Sequence, residues 1–143
     1  MAITSAICST FKQELLKGTH DFDGGATYKI ALYTSSASMG ASTTAYSTTN
    51  ETSGTGYTAA GATLTSPAVA LSSTTAYIDF ADATWTTSSF TANGALIYRS
   101  DGSAPTNDAV CVIAFGGDYT STNGTFTVQF PTGGTSTAIL RLA

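Results

Sequence analysis

The chain has 143 residues and a net charge of −4, and only 10% of its residues are charged whereas 42% are hydrophobic. This length fits one domain, and the hydrophobic fraction excludes a disordered chain. The five cations are scattered rather than clustered into a basic stripe, and no apolar run approaches the ~20 residues of a membrane span, so we expect neither nucleic acid nor membrane as a partner.

Thr and Ser dominate the composition, with 28 and 17 copies. Thr suits strands because its branched side chain packs on a pleated surface while its hydroxyl meets water. The low charge also leaves a surface that a partner can desolvate easily, since charged residues are depleted at interface cores. The composition therefore favours a β-rich domain that binds other proteins.

The first predicted element is an amphipathic helix at residues 4–17. Ile7, Phe11 and Leu15 recur at positions i, i+4 and i+8, which places them on one stripe. Such a stripe has to pack on the domain's own sheet or on a neighbouring molecule. Residues 1–17 lack the basic start, apolar core and small-residue cleavage site of a secretory leader, so we expect synthesis in a cytosol without export.

A strand is predicted at residues 27–33, where the sequence changes to a period of two. Residues 34–61 follow as a long stretch of Thr, Ser, Ala and Gly, with Tyr46 and Tyr57 as aromatic anchors. Stretches of this length without regular structure are usually binding loops. We therefore predict an extended loop or arm there, and it is the second candidate interaction element beside the helix.

Short strands then recur with turn signals between them. They are predicted at residues 62–71, 75–80, 83–85, 94–99, 108–115, 124–130 and 138–142. The turn signals are Asn93-Gly94, Asp101-Gly102, Gly116-Gly117, Asn123-Gly124 and Gly133-Gly134. Together these elements predict an all-β fold, an antiparallel β-sandwich of jelly-roll-like type with a short N-terminal α-helix, spanning residues 1–143 as a single domain.

Side chains that could catalyse a reaction are few. His20 is the only histidine and lies in a polar link without a nucleophile nearby in sequence, which predicts an incidental surface residue. Asp21 and Asp23, like Asp79 and Asp82, match no calcium loop and are interpreted as solvated turns. We therefore predict no catalytic, cofactor-binding or metal-binding residue, no cofactor, and no enzymatic activity.

Cys8 and Cys111 lie in apolar sequence and are predicted to be buried thiols, with a disulfide as the alternative. Trp85 is interpreted as a core residue beside a strand. The alternative for Trp85 is a stacking platform for sugars, as in carbohydrate-binding β-sandwiches.

Most of the chain resembles a known family. The segments that carry the resemblance are Gly56-Tyr57-Thr58-Ala59, Ala62-Thr63-Leu64-Thr65, Asp79-Phe80-Ala81-Asp82-Ala83-Thr84-Trp85, Gly94-Ala95-Leu96-Ile97-Tyr98, Ala114-Phe115-Gly116 and Gly124-Thr125-Phe126-Thr127-Val128. They are similar to a family of small virion proteins of tailed bacteriophages, of the capsid decoration, or cement, type. These segments are structural signatures of strands and turns, so no binding residue is carried over from the family.

The resemblance implies a structural virion protein that binds the outside of the head at junctions between major capsid subunits. It implies the capsid surface as the location, the major capsid protein as the partner, and self-association as a dimer or trimer. Our candidate protein-interaction residues are Ile7, Phe11 and Leu15 of the helix, with Tyr46 and Tyr57 of the loop.

Three alternatives stay open. The first is a tail or receptor-binding component that recognises a cell-surface glycan through exposed aromatic side chains. The second is a small polysaccharide hydrolase, which the shortage of His, Glu and Cys argues against. The third is a cytosolic β-domain unrelated to viruses.

Overall fold

The computed structural model describes residues 2–102 and 106–143. In chain order its elements are β1 (Ala6–Ile7), α1 (Ser9–Leu16), β2 (Tyr28–Tyr33), β3 (Ala62–Thr63), β4 (Ala68–Ser72), β5 (Thr75–Asp79), β6 (Ala83–Arg99), β7 (Ala109–Val128) and β8 (Leu140–Leu142). The strands form two antiparallel sheets, so the predicted all-β sandwich with a short N-terminal helix is confirmed. The jelly-roll-like connectivity stays a prediction.

The two sheets differ in size. The larger has the strand order β1-β7-β6-β2-β3, and the smaller has the order β4-β5-β8. The chain passes from one to the other at Pro67, after Ser66 has turned the backbone with a φ of 52°. The prediction of one strand over residues 62–71 was wrong because Pro has no N–H for a strand ladder, and the chain breaks there into β3 and β4.

β6 and β7 form one long hairpin where four short strands were predicted. Gly116 and Asn123 have positive φ angles of 83° and 48°, a conformation that a β-bulge uses as readily as a turn does. Gly94 is required for a different reason: β7 lies so close that an added Cβ would be 2.7 Å from the carbonyl oxygen of Ile113. The predicted turns that lie inside these strands are Asn93-Gly94, Gly116-Gly117 and Asn123-Gly124.

The N-terminal helix is shorter than predicted. Residues 4–17 do not form one helix, because β1 pairs with β7 and places Ile7 opposite Cys111. The N–H of Cys8 continues this pairing by donating to the carbonyl oxygen of Val110 at 3.0 Å, and the helix starts only after it. Pairing at the edge of β7 satisfies backbone groups that a longer helix would have left exposed on that strand.

The core lies between the sheets and beneath α1. Its largest fully buried side chains come mainly from β2, β6 and the first part of β7. Trp85 is buried, as predicted, and Cys8 and Cys111 are buried free thiols, so the disulfide alternative is wrong. Within the described ranges, no helix is long and apolar enough to cross a membrane.

The loop of residues 34–61 is packed along the larger sheet. Single backbone bridges join Tyr33 to Glu51 and Thr55 to Ser89. The N–H of Thr52 donates to the carbonyl oxygen of Leu32 at 2.8 Å. These contacts hold the loop at several points along its length.

Candidate functional site

An apolar groove of about 430 Å³ lies between α1 and one face of the smaller sheet. Phe11, Ile78 and Leu140 form its buried floor. Its exposed walls are Leu16 on the helix side and Leu142 on the sheet side. A contiguous apolar surface of this kind is typical of a site that binds another molecule.

The strand register explains why this face of the sheet is apolar. Val69 lies opposite Ile78, and Ile78 lies opposite Leu140. Leu71, Ala76 and Leu142 form the next row across the same three strands. Residues directly opposite each other share a face of the sheet, so both rows are apolar from edge to edge.

The second row and the Val69 end of the first row extend beyond the core that Ile78 and Leu140 cover. Ile78 and Leu140 are buried, whereas Val69, Leu71 and Leu142 are 53%, 73% and 61% exposed. The smaller sheet therefore overhangs the core. Part of its apolar face, the face that covers the core elsewhere, is open to solvent.

The helix supplies the opposite wall. Phe11 is only 4% exposed and belongs to the core, Leu15 is partly buried, and Leu16 is 91% exposed. Leu16 therefore projects beside the groove, and its apolar side chain is left in water instead of being packed against other apolar side chains. Of the candidate interaction residues, the structure brings Ile7, Phe11 and Leu15 together at this groove.

The other two candidates, Tyr46 and Tyr57, lie elsewhere and converge on Glu51. Their hydroxyls donate to Oε2 and Oε1 of Glu51, each at 2.7 Å, and the N–H of Ala60 donates to Oε1 at 2.8 Å. Tyr46 also stacks on Tyr98 with ring centroids 4.7 Å apart. Burial raises the pKa of both tyrosines above the ordinary value, and Glu51 raises it further, so both stay hydrogen-bond donors. The two hydroxyls therefore hold the loop in place.

His20 is not the surface residue that was predicted. Its ring is buried, with Nε2 at 2.9 Å from both Oε2 of Glu14 and Oδ2 of Asp108. Its Nδ1 lies 3.0 Å from the hydroxyl of Tyr28. The cluster joins α1 to the start of β7, so it fixes the helix that forms one wall of the groove.

A metal ion is not needed to explain this cluster. The ligand-type atoms of Glu14, His20 and Asp108 lie within 4.8 Å of one another. The contacts of 2.9 Å are those of hydrogen bonds, and Asp108 is also held by Nε of Arg99 at 3.0 Å. Asp21 and Asp23, in the link after the helix, are both exposed, as a solvated turn would be.

Sequence reasoning missed the sheet side of the groove. Val69 and Leu142 line the groove, and Leu71 lies beside it in the same row as Leu142. All three belong to short strands whose apolar alternation was visible, but the sequence does not show which face an overhanging sheet leaves uncovered. Comparison with known proteins adds nothing to this description: no family model, no curated protein and no solved structure matches the chain.

Proposed function

We propose that this chain is a structural virion protein of a tailed bacteriophage, a capsid decoration protein that binds the outside of the head and stabilises it. It would occupy junctions between major capsid subunits and have no catalytic activity. The observation that carries the proposal is the exposed apolar groove between α1 and the smaller sheet. The resemblance of the chain to small virion proteins gives the class of partner.

The groove offers binding energy without a large desolvation penalty. A Leu-sized side chain contributes about 1.5–3 kcal/mol when it is moved from water into full burial. Leu16 and Leu142, which line the groove, are largely exposed in the single chain and are therefore available for such burial. Few charges have to be stripped of water on this face. Lys12 and Arg141 are the only charged residues that line the groove in the described part of the chain, and Arg141 pairs with Tyr77, so its side chain leaves the opposite face of the sheet.

The rest of the molecule is suited to rigid docking. The long β6–β7 hairpin and the loop pinned by Glu51 leave little backbone to be ordered when a partner binds. Self-association as a dimer or trimer belongs to the same proposal.

The experiment is to mix the purified protein with bare heads of its phage and to image them by cryo-electron microscopy. We expect density at regular icosahedral positions, with the α1 side of the protein facing the shell. Leu16→Glu should reduce occupancy strongly, whereas Thr122→Glu, which adds the same charge at an exposed position of β7, should load like the wild type. Bare heads would contradict the proposal.

A tail or receptor-binding component that recognises a cell-surface glycan is the second candidate. Tyr119 is 56% exposed and its ring lies 6.2 Å from that of Phe115, beside a hollow that both polar residues, such as Thr125 and Gln129, and apolar residues, such as Phe126, line. Stacking on an exposed aromatic ring beside polar groups is how such sites hold sugars. Trp85, the sugar platform suggested by the sequence, is buried, and the hydroxyls of Tyr46 and Tyr57 are bound to Glu51. Density on tails, with binding on a glycan array that Tyr119→Ala removes, would favour this candidate.

A further inference from the structure

We propose that β4 pairs with β4 of a second copy of this chain, antiparallel about a two-fold axis at Ala70. This inference rests on the proposed function, because it names the surface through which the chain self-associates. Two observations carry it together. β4 is the one long, uncharged edge among the strands that the structure describes, and its sequence is complementary to itself.

The four edge strands of the two sheets differ in how well they are protected against pairing with other chains. Natural proteins protect an edge by keeping the strand very short, or by placing charges or β-bulges on it. β1 and β3 have two residues each, and β8 has three and carries Arg141. β4 has five uncharged residues and pairs with β5 in an unbroken register from Ala68 to Ser72. Pro67 lies before the strand, so all five residues keep their N–H groups.

The outer edge of β4 is open along its backbone and its side chains. An edge strand presents a row of N–H and C=O groups that its own sheet does not use. Beyond the ladder with β5, residues 2–102 and 106–143 supply no backbone hydrogen bond to this strand. Val69 and Leu71 are 53% and 73% exposed. Leu71 does not line the groove, so an occupant of the groove would not account for its exposure.

Two-fold pairing at Ala70 matches each side chain of β4 with a similar one. Ala70 lies opposite the partner's Ala70, Val69 lies opposite the partner's Leu71, and Ala68 lies opposite the partner's Ser72. Val69 and Leu71 share the face of the sheet that carries Ile78, so the apolar rows continue from one copy into the other. Opposite apolar pairs stabilise a sheet, and no like charges meet because β4 has none.

The geometry of the sheet favours a second copy over a strand of another protein. A two-fold contact uses the same surface of both copies, so one pairing covers both long edges. The combined sheet then ends on each side in β8, which is short and carries Arg141. The dimer therefore leaves no long, uncharged edge in the smaller sheet, and this limits the assembly through β4 to two copies.

The first test uses the full chain without heads, in sedimentation equilibrium. A pair of five-residue strands is a small interface, so we expect a dimer with a dissociation constant of about 10–100 μM. Ala70→Glu and Ala70→Lys each place like charges opposite each other on the axis and should abolish the dimer, whereas an equimolar mixture of the two variants should restore it. Thr122→Glu and Thr122→Lys, at an exposed position of β7, should dimerise like the wild type. Circular dichroism checks that all four variants are folded.

The second test determines the register by thiol crosslinking. Ala70→Cys should form a disulfide-linked dimer under mild oxidation, because residue 70 faces itself across the axis. A mixture of Val69→Cys and Leu71→Cys should crosslink faster than either variant alone. Thr122→Cys should crosslink no faster than random collision allows. The native thiols Cys8 and Cys111 are buried and contribute little background.

The outcomes separate this inference from the decoration role. A dimer that Ala70→Glu abolishes and the mixture restores supports it. A wild type that stays monomeric at about 1 mM overturns it even when heads are decorated. A dimer that persists in Ala70→Glu identifies another surface and also overturns it. A monomeric wild type together with reduced head loading of Ala70→Glu would assign the edge to the shell protein instead and overturn the inference. Bare heads beside a dimeric wild type would reject the decoration role and leave the inference standing.

Discussion

The hydroxyl of Tyr57 donates a hydrogen bond to Oε1 of Glu51 across 2.7 Å. The same hydroxyl accepts a bond from the N–H of Leu32 at 2.9 Å, so it ties the loop carboxylate to β2. Tyr46 approaches Glu51 from the other side and donates to Oε2. The carboxylate of Glu51 thus binds two separate parts of the 34–61 loop. This explains how a Thr/Ser-rich segment without helix or strand is held as a fixed surface.

Replacing this carboxylate should loosen the loop. Glu51→Ala leaves the hydroxyls of Tyr46 and Tyr57 and the N–H of Ala60 without their acceptor, and it should lower the free energy of unfolding by about 2 kcal/mol. Urea denaturation measures this loss. Glu51→Gln keeps one acceptor oxygen and should lose less. Equal stability of Glu51→Ala and the wild type would show that the loop does not depend on this contact.

The buried histidine should be needed to hold α1. His20→Ala leaves Glu14 and Asp108 without the ring nitrogen that lies 2.9 Å from each, and it should cost about 3 kcal/mol of unfolding free energy. Hydrogen exchange of the α1 amides should become faster, because the cluster joins the helix to β7. Asp23→Ala, in the exposed part of the same link, is the control and should change neither quantity. Unchanged exchange in His20→Ala would show that other contacts position the helix.

Local sequence patterns revealed the class of fold. They could not reveal features that depend on contacts between distant parts of the chain. The alternation in β2 and the apolar run in β7 were readable because each is a property of neighbouring residues. The Gly-containing pairs in the β6–β7 hairpin were misread, because a positive φ serves a bulge as well as a turn.

The candidate site was visible only from the helix side. The periodicity of Ile7, Phe11 and Leu15 pointed to the right surface, although Phe11 belongs to the core. The role of His20 depends on Asp108, which is far away in sequence, so no local pattern could have placed the ring in a buried cluster. The overhang of the smaller sheet likewise depends on how two sheets of different size meet.

The two thiols should be inert in the folded protein. Burial raises the pKa of Cys8 to about 11 and the pKa of Cys111 to about 12, from an ordinary value of 9.0. Only the thiolate attacks a disulfide reagent, so neither thiol should react with Ellman's reagent at neutral pH until the protein is unfolded. Rapid reaction of a thiol in the native protein would contradict its burial.

The same thiols should make stability fall at alkaline pH. Between pH 9.0 and about 12 the unfolded chain releases thiol protons that the folded chain still holds, so unfolding becomes easier as the pH rises. The contribution is complete below pH 9.0 and is lost as the pH passes the folded-state pKa values. Cys111→Ala should make this decline shallower in urea titrations. The buried tyrosines have the same sign, since burial raises the pKa of Tyr98 to about 12, so part of the slope should remain.

Truncation of Phe11 and truncation of Leu16, two apolar residues of α1, should change the free energy of unfolding by very different amounts. Phe11→Ala removes a ring from the core, where it packs edge-on against His20 at 4.7 Å and Phe22 at 6.0 Å, and it should cost about 3–5 kcal/mol of unfolding free energy. Leu16→Ala removes a side chain that is 91% exposed, so it should change that free energy by less than about 0.5 kcal/mol. Only the Leu16 variant should therefore weaken head loading while it keeps the wild-type urea midpoint. A large loss of stability in Leu16→Ala would show that this leucine packs within its own chain, and the groove would then lack the exposed wall from which its binding role is inferred.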